Sequence, residues 1–142
     1  MRGRNKNPHD SRRFNDWIEN SSADLKAAKM LIGEEKCLKL CAFHLQQCIE
    51  KGLKAYVLVH DGRLLDGHNL TWLCKQAMKS DASFEQWLDE SIILNRYYIE
   101  TRYPSDIKEE ITRGSVERLL TMTCDMFKYI CYDIGYYDEE MY

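Results

Sequence analysis

Arg102 and Tyr103 are the first residues that we predict to bind a ligand. Arg102 continues the inward-facing stripe of its helix, which Pro104 should end, so its guanidinium would lie beside buried side chains, where an unpaired charge is costly. A planar guanidinium suits bidentate binding of a phosphate or a carboxylate. The alternative is that Arg102 complements the dipole at the helix C-terminus and ties down the following loop.

Arg96 and Tyr98 lie on the same predicted helix. Arg96 is about 120° from Arg102 around an ideal helix, so the two arginines would meet only across a dimer axis. The ring of Tyr98 suits stacking on a base. We predict ligand-binding roles for Arg96 and Tyr98. For Tyr98 the alternative is a core role, because tyrosine at helical spacing is also typical of a core.

A third group of candidates follows one line of the second predicted helix, at steps of three and four residues. The line contains Leu40, His44, Gln47, Lys51, Lys54 and Leu58. Two lysines within one turn suit an anionic ligand as point charges, so we predict that His44, Lys51 and Lys54 contribute to binding. Alternatively, the line is a solvated or dimer-facing stripe, in which Glu50 and Lys54 form an i,i+4 ion pair.

The sequence contains no recognisable motif for nucleophilic catalysis, phosphate-loop binding or zinc-dependent hydrolysis. There is no glycine-rich phosphate loop, no nucleophile elbow and no His-Glu-x-x-His. Five of the six cysteines lie in apolar helical patterns and are predicted to be core residues. A metal site is the alternative, since Cys37 and Cys41 are one helical turn apart, but no second pair follows at zinc spacing. We predict no cofactor and no metal.

The composition indicates one globular domain of 142 residues, with 44% apolar and 30% charged residues. Only two prolines interrupt the chain, which favours long helices. A net charge of −3 does not suit a duplex-DNA binder. Without a long apolar run or a secretory signal, the expected location is cytoplasmic.

Helical periodicity predicts an all-α fold, an up-down antiparallel bundle of four long helices plus one short helix. The five predicted helices are approximately 14–32, 36–60, 69–79, 84–102 and 115–134. The second is predicted to be central, the fourth to turn Phe84, Ser91 and Ile92 inward, and the fifth to begin with Ser115 as its N-cap. We expect three regions: a flexible arm (1–13), the bundle (14–134) and a loosely held acidic, tyrosine-rich tail (135–142).

Four segments, in order, resemble motifs of HEPN domains. Phe43 to Ala55 resembles the pattern Phe-His-x-Gln-Gln-x-x-Glu-Lys-x-Leu-Lys-Ala of the family's second helix. Ala23 to Ala28 resembles part of the first helix, and His68 to Leu70 resembles the His-Asp/Asn-Leu that opens the third. Tyr98 to Pro104 resembles the signature Tyr-x-x-x-Arg-Tyr-Pro.

This resemblance implies a helical bundle that is commonly homodimeric and is associated with nucleotide or RNA ligands and with a small nucleotidyltransferase partner. Some members are ribonuclease toxins with an Arg-x4–6-His motif. After Arg96, the positions for the histidine hold Thr101, Arg102 and Tyr103. Without a histidine there, no group is evident that would transfer a proton near neutral pH.

One literal match to the ribonuclease motif, Arg63 with His68, lies in a loop, where His68 could instead cap or anchor the third helix. We therefore favour a non-catalytic binding module that binds a nucleotide or a nucleotidyltransferase partner as a homodimer. The alternatives are a ribonuclease toxin of a toxin–antitoxin pair and a structural dimerisation protein.

Overall fold

Six α-helices make up the described part of the chain. The computed structural model describes residues 9–100 and 111–142, with the backbone alone at 99 and 100. The helices are α1 (Phe14–Leu31), α2 (Leu38–Asp61), α3 (Leu70–Met78), α4 (Leu88–Asn95), α5 (Tyr97–Glu100) and α6 (Arg113–Ile134). Short 3₁₀ segments lie at Glu35–Cys37, Ala82–Trp87 and Glu139–Met141. Within these ranges there is no strand, and the predicted all-α bundle is confirmed.

Helix α2 is the central element, as predicted. It packs against α1 along most of its length and also contacts α3, α4, α5 and α6. The eight residues predicted for its apolar face are all buried, namely Leu38, Cys41, Ala42, Leu45, Ile49, Leu53, Tyr56 and Val57. Arg113, at the start of α6, donates to the carbonyls of Ile32 and Gly33 just after α1, so α1 and α6 run in opposite directions.

Glycines end two of the long helices. Gly62 follows α2 with φ of 69°, and Gly135 follows α6 with φ of 73°. In this left-handed conformation a side chain is strained, which explains why glycine occupies both C-terminal positions. Among the helices in the described ranges, none is long and apolar enough to cross a membrane.

The prediction of one continuous helix from Phe84 to Arg102 is wrong in its described part. A 3₁₀ segment precedes α4, and the chain turns at Arg96 before α5. A 3₁₀ segment advances about 120° per residue, so the buried face of α4 is rotated relative to a continuous α-helix. Leu94 is consequently buried, whereas Ile92, predicted to face inward, is 52% exposed.

The start of α6 and the tail also differ from expectation. Thr112 is the N-cap, because its Oγ1 accepts from the backbone N–H of Ser115 at 3.1 Å, so Ser115 lies inside the first turn. The tail packs on α1: Ser22 donates to Asp138 at 2.8 Å, and Met141 is buried. A buried apolar residue and this hydrogen bond hold a segment that we expected to be loose.

Four of the six cysteines are core residues, one fewer than predicted, because Cys37 and Cys124 are only partly buried. Cys41, Cys48, Cys74 and Cys131 are buried and free of disulfides. Burial raises the pKa of the Cys41 and Cys74 thiols to about 11 and that of Cys131 to about 12. Thiols that stay protonated near neutral pH are unreactive, which suits a packing role.

Candidate functional site

Glu50 is the centre of a buried polar network on α2. Its Oε1 accepts from Nδ1 of His68 at 3.0 Å and from Nε2 of Gln46 at 3.2 Å, and its Oε2 accepts from Nζ of Lys54 at 3.2 Å. Gln47 adds a longer contact to Oε1 at 3.5 Å. The Lys54 ammonium group and the amides of Gln46 and Gln47 can only donate, so the carboxyl oxygens of Glu50 act as acceptors in this network.

Lys54 is enclosed between Glu50 and helix α1. The side chains of Glu50 and Lys54 are each only 4% exposed, and Nζ of Lys54 lies 5.3 Å from the ring centroid of Trp17. The predicted i,i+4 pair with Glu50 is therefore present, but it is buried and not part of a solvated stripe. An ammonium group with a carboxylate and an aromatic face as neighbours is stabilised without a ligand.

Asp24 of α1 forms a second cluster on the same line of α2. Its Oδ1 lies 2.9 Å from Nδ1 of His44, and its Oδ2 accepts from Nζ of Lys51 at 2.7 Å. Asp24 is buried, whereas His44 and Lys51 are partly exposed. The two predicted ligand-binding residues are thus held by one carboxylate, and a ligand phosphate would compete with Asp24 for Lys51.

A cavity of about 370 Å³ opens beside the Glu50 network and is lined by His68, Asn69, Asn95 and Tyr98. The rings of His68 and Tyr98 are stacked, with centroids 4.1 Å apart and an interplanar angle of 16°. The His68 side chain is 48% exposed, so it is anchored by Glu50 on one side and open on the other. The cavity volume is near the lower end of the range for small-molecule sites.

Asn95 joins the end of α4 to the start of α3. Its Oδ1 accepts from the backbone N–H of Leu70, and its Nδ2 donates to Thr71 Oγ1 at 2.8 Å and to Asn69 Oδ1 at 3.2 Å. Asn69 is the N-cap of α3, since its Oδ1 also accepts from the N–H of Trp72 at 3.2 Å. These bonds fix the amides that line the cavity.

The predicted site residues are only partly brought together. Tyr98 lies in the cavity, and Lys54 lies behind it, connected through Glu50 and His68. His44 and Lys51 belong to the separate Asp24 cluster. Arg96 lies at the turn between α4 and α5, with its guanidinium 5.5 Å from the ring centroid of Tyr97. The predictions for Arg102 and Tyr103 lie outside the described residues.

Several residues of the cavity and its network escaped sequence reasoning. The sequence pattern indicates Glu50 only as the partner of Lys54, and it does not indicate Asn69 or Asn95 as site residues. The spacing of Gln46 and Glu50, one helical turn apart, is the local signal that could have indicated a polar cluster. No local signal connects Asn69 with Asn95, because their contact joins distant parts of the chain.

The loop match to the ribonuclease motif is not assembled as a pair. Arg63 bonds to Asp61 and to Oε1 of Gln76, whereas His68 bonds to Glu50. No contact joins Arg63 to His68 in the described structure. His68 anchors the segment before α3, and Asn69, not His68, supplies the cap.

A second cavity of about 230 Å³ lies between α4, α5 and α6. Its lining residues are Glu90, Ile93, Tyr97, Ser115, Arg118 and Leu119. It has no stacked ring pair, and its charged groups are Glu90 and Arg118, of opposite sign. Across residues 9–100 and 111–142, no group of three or more histidine, cysteine or acidic side chains is placed to hold a metal ion.

The chain is similar to a known domain family and to solved structures. Residues 14–131 match the family described as HEPN domain. The crystal structure of TT1696 from Thermus thermophilus is similar, with 25% identity and a TM-score of 0.74, covering 84% of this chain and 97% of that one. An archaeal HEPN homologue, at 23% identity with a TM-score of 0.65, covers 86% and 98% respectively and shows the fold. No curated protein matches the chain.

Proposed function

Because the chain belongs to the HEPN domain family, we propose that it is a nucleotide-binding module that acts as a homodimer and holds the base of its ligand in the cavity beside His68. The observation that carries this proposal is the stacked pair of His68 and Tyr98 at the wall of an open cavity. Aromatic rings provide a stacking surface for bases, and amides such as Asn69 provide hydrogen bonds to base edges.

The charges around the cavity favour binding over catalysis. Lys54, which lies behind the cavity, is neutralised by Glu50, and Lys51 of the separate cluster is neutralised by Asp24. Neither lysine is therefore poised to stabilise charge that develops on a phosphate during a reaction. A nucleotide site would also suit the nucleotidyltransferase partner that the resemblance suggests, because both proteins would handle the same class of ligand.

Calorimetric titration with the four ribonucleoside monophosphates tests the proposal. Base–aromatic stacking contributes about 1–3 kcal/mol, so Tyr98→Leu is expected to weaken binding of the preferred nucleotide about tenfold or more. Tyr132→Leu is the matched control, since Tyr132 is an exposed tyrosine of α6 that does not line the cavity, and its binding should equal that of the unmodified protein. Absence of binding by every nucleotide at millimolar concentration would refute the proposal.

The homodimer is supported by exposed apolar side chains on α4. Ile92 and Ile93 are neighbouring residues, and each exposes about half of its surface. We expect light scattering after size exclusion to give twice the 16.8 kDa chain mass, and Ile92→Glu with Ile93→Glu to give a single chain, because buried unpaired carboxylates oppose association. A monomeric unmodified protein would contradict the dimer and leave nucleotide binding to be judged by calorimetry.

A further inference from the structure

We propose that the cavity is selective for adenine, which it recognises through one acceptor, Nε2 of His68, and one donor, Nδ2 of Asn69. This inference rests on the proposed nucleotide binding and adds the identity of the base. The two recognising residues are adjacent in the chain and line the same cavity.

The hydrogen-bonding role of His68 follows from Glu50. Nδ1 of His68 lies 3.0 Å from Oε1 of Glu50, and that carboxylate only accepts hydrogen bonds. Nδ1 therefore carries the proton, and in the neutral ring Nε2 is an acceptor. Among the described residues none hydrogen-bonds to Nε2. Stacking on Tyr98 fixes the plane of the ring, so Nε2 is an oriented acceptor.

The orientation of the Asn69 amide follows from its capping role. Its oxygen accepts from Trp72 N–H and from Asn95 Nδ2, each at 3.2 Å, and a rotated amide would place its NH₂ against these donors. Its Nδ2 is therefore directed away from the cap. Among the described side chains, 9–98 and 111–142, no acceptor for this group is found, so its hydrogens can be donated to a ligand.

Asn95 does not take part in this recognition, although it lines the cavity. Its oxygen accepts from Leu70 N–H, and its two amide hydrogens go to Thr71 and Asn69. With every donor and one acceptor position occupied, Asn95 contributes the fixed wall against which Asn69 is oriented. The polar groups that the cavity offers to a base are thus one donor, Asn69 Nδ2, and one acceptor, His68 Nε2.

Adenine is the base whose Watson–Crick edge consists of one donor, the 6-amino group, and one acceptor, N1. Cytosine and uracil each present a second acceptor on that edge, and guanine presents a second donor, so one polar group of these bases would remain unmatched.

The substitution Asn69→Asp replaces the donor at this position with an acceptor and preserves the N-cap of α3. Aspartate is as good an N-cap as asparagine and still accepts from Trp72 N–H and Asn95 Nδ2, but it replaces the donor with an acceptor. The cavity would then present two acceptors. Guanine, with N1–H next to its 2-amino group, offers two adjacent donors, so the preferred base should change from adenine to guanine.

The experiment is calorimetry of the full chain with adenosine, guanosine and purine riboside monophosphates, the last having hydrogen in place of the 6-amino group. We expect the unmodified protein to bind purine riboside monophosphate about tenfold more weakly than adenosine monophosphate, because His68 Nε2 loses its donor. We expect Asn69→Asp to bind guanosine monophosphate about tenfold more tightly than adenosine monophosphate, with an unchanged melting temperature as the check on folding.

Three outcomes distinguish the inference from the proposed function. Both preferences as stated would support it. Binding of all three nucleotides with equal affinity, unchanged by Asn69→Asp, would overturn the adenine code and leave nucleotide binding in place. Absence of binding by any of them to the unmodified, folded protein would overturn both.

Discussion

Glu50→Leu is expected to lower the free energy of unfolding by about 3–5 kcal/mol, because it leaves the ammonium group of Lys54 buried without its carboxylate. Both side chains are almost fully enclosed, so water cannot replace the lost partner. The same substitution removes the acceptor of His68 Nδ1 and of Gln46 Nε2. Urea denaturation followed by circular dichroism in the far ultraviolet measures the loss.

A double-mutant cycle separates the ion pair from the rest of the network. Lys54→Met is expected to be destabilising alone, but the double variant with Glu50→Leu should be more stable than the sum of the single effects predicts, since no buried charge then remains. Lys26→Met is the control, because Lys26 is exposed and its ion pairs with Glu139 and Glu140 are long, at 3.8 and 3.9 Å. It should change stability by at most about 0.5 kcal/mol. Additive single effects would show that the two charges are not coupled.

Phe84→Ala is expected to lower the free energy of unfolding by about 4 kcal/mol. Phe84 is fully buried, and its ring centroid lies 4.6 Å from that of Tyr56, 5.4 Å from Trp87 and 5.5 Å from Tyr129. Truncation would leave a void among three aromatic rings of α2, α6 and the 3₁₀ segment before α4, which are too rigid to fill it. Thermal and urea denaturation both measure the effect.

Tyr137→Ala is the matched aromatic truncation at the surface. Tyr137 is 78% exposed, so its removal creates no cavity and should change stability by at most about 0.5 kcal/mol. Equal effects of Phe84→Ala and Tyr137→Ala would mean that the aromatic cluster does not contribute to the core in the way that its geometry indicates.

The long amphipathic helices could be predicted from the sequence because their pattern repeats over many turns. The start predicted for α1 at Phe14 and the apolar face predicted for α2 agree with the structure. The region of α4 was less predictable, because a 3₁₀ segment changes the residue spacing of the buried face without an obvious sequence signal. As a result, Leu94 is buried, whereas Ile92, which was predicted to be buried, is exposed.

The candidate site was predictable only on helix α2. His44, Lys51 and Lys54 share a line that periodicity reveals, but their carboxylate partners lie partly on another helix, as Asp24 does for His44 and Lys51. Pairing across elements depends on the fold, which periodicity does not encode. The pair of Lys54 with Glu50 on the same helix was predictable, but its burial against Trp17 of α1 was not, because burial depends on how the helices pack.

The residues that carry the family resemblance on α2 include those that build the network. Gln46, Gln47, Glu50 and Lys54 all belong to the motif between Phe43 and Ala55, and all four participate in hydrogen bonds around Glu50. The motif thus has a structural meaning in this chain. It orients His68 at the cavity and encloses the Lys54 ammonium group, which would otherwise be solvated.

The most direct measurement is a proton–nitrogen NMR titration of the full, isotope-labelled chain with adenosine monophosphate. Saturable shifts of the Asn69 side-chain NH₂ and of the His68 and Tyr98 backbone amides, with Arg118 in the second cavity unaffected, are the predicted result. Shifts confined to the second cavity, or an unchanged spectrum at millimolar nucleotide, would contradict base recognition beside His68.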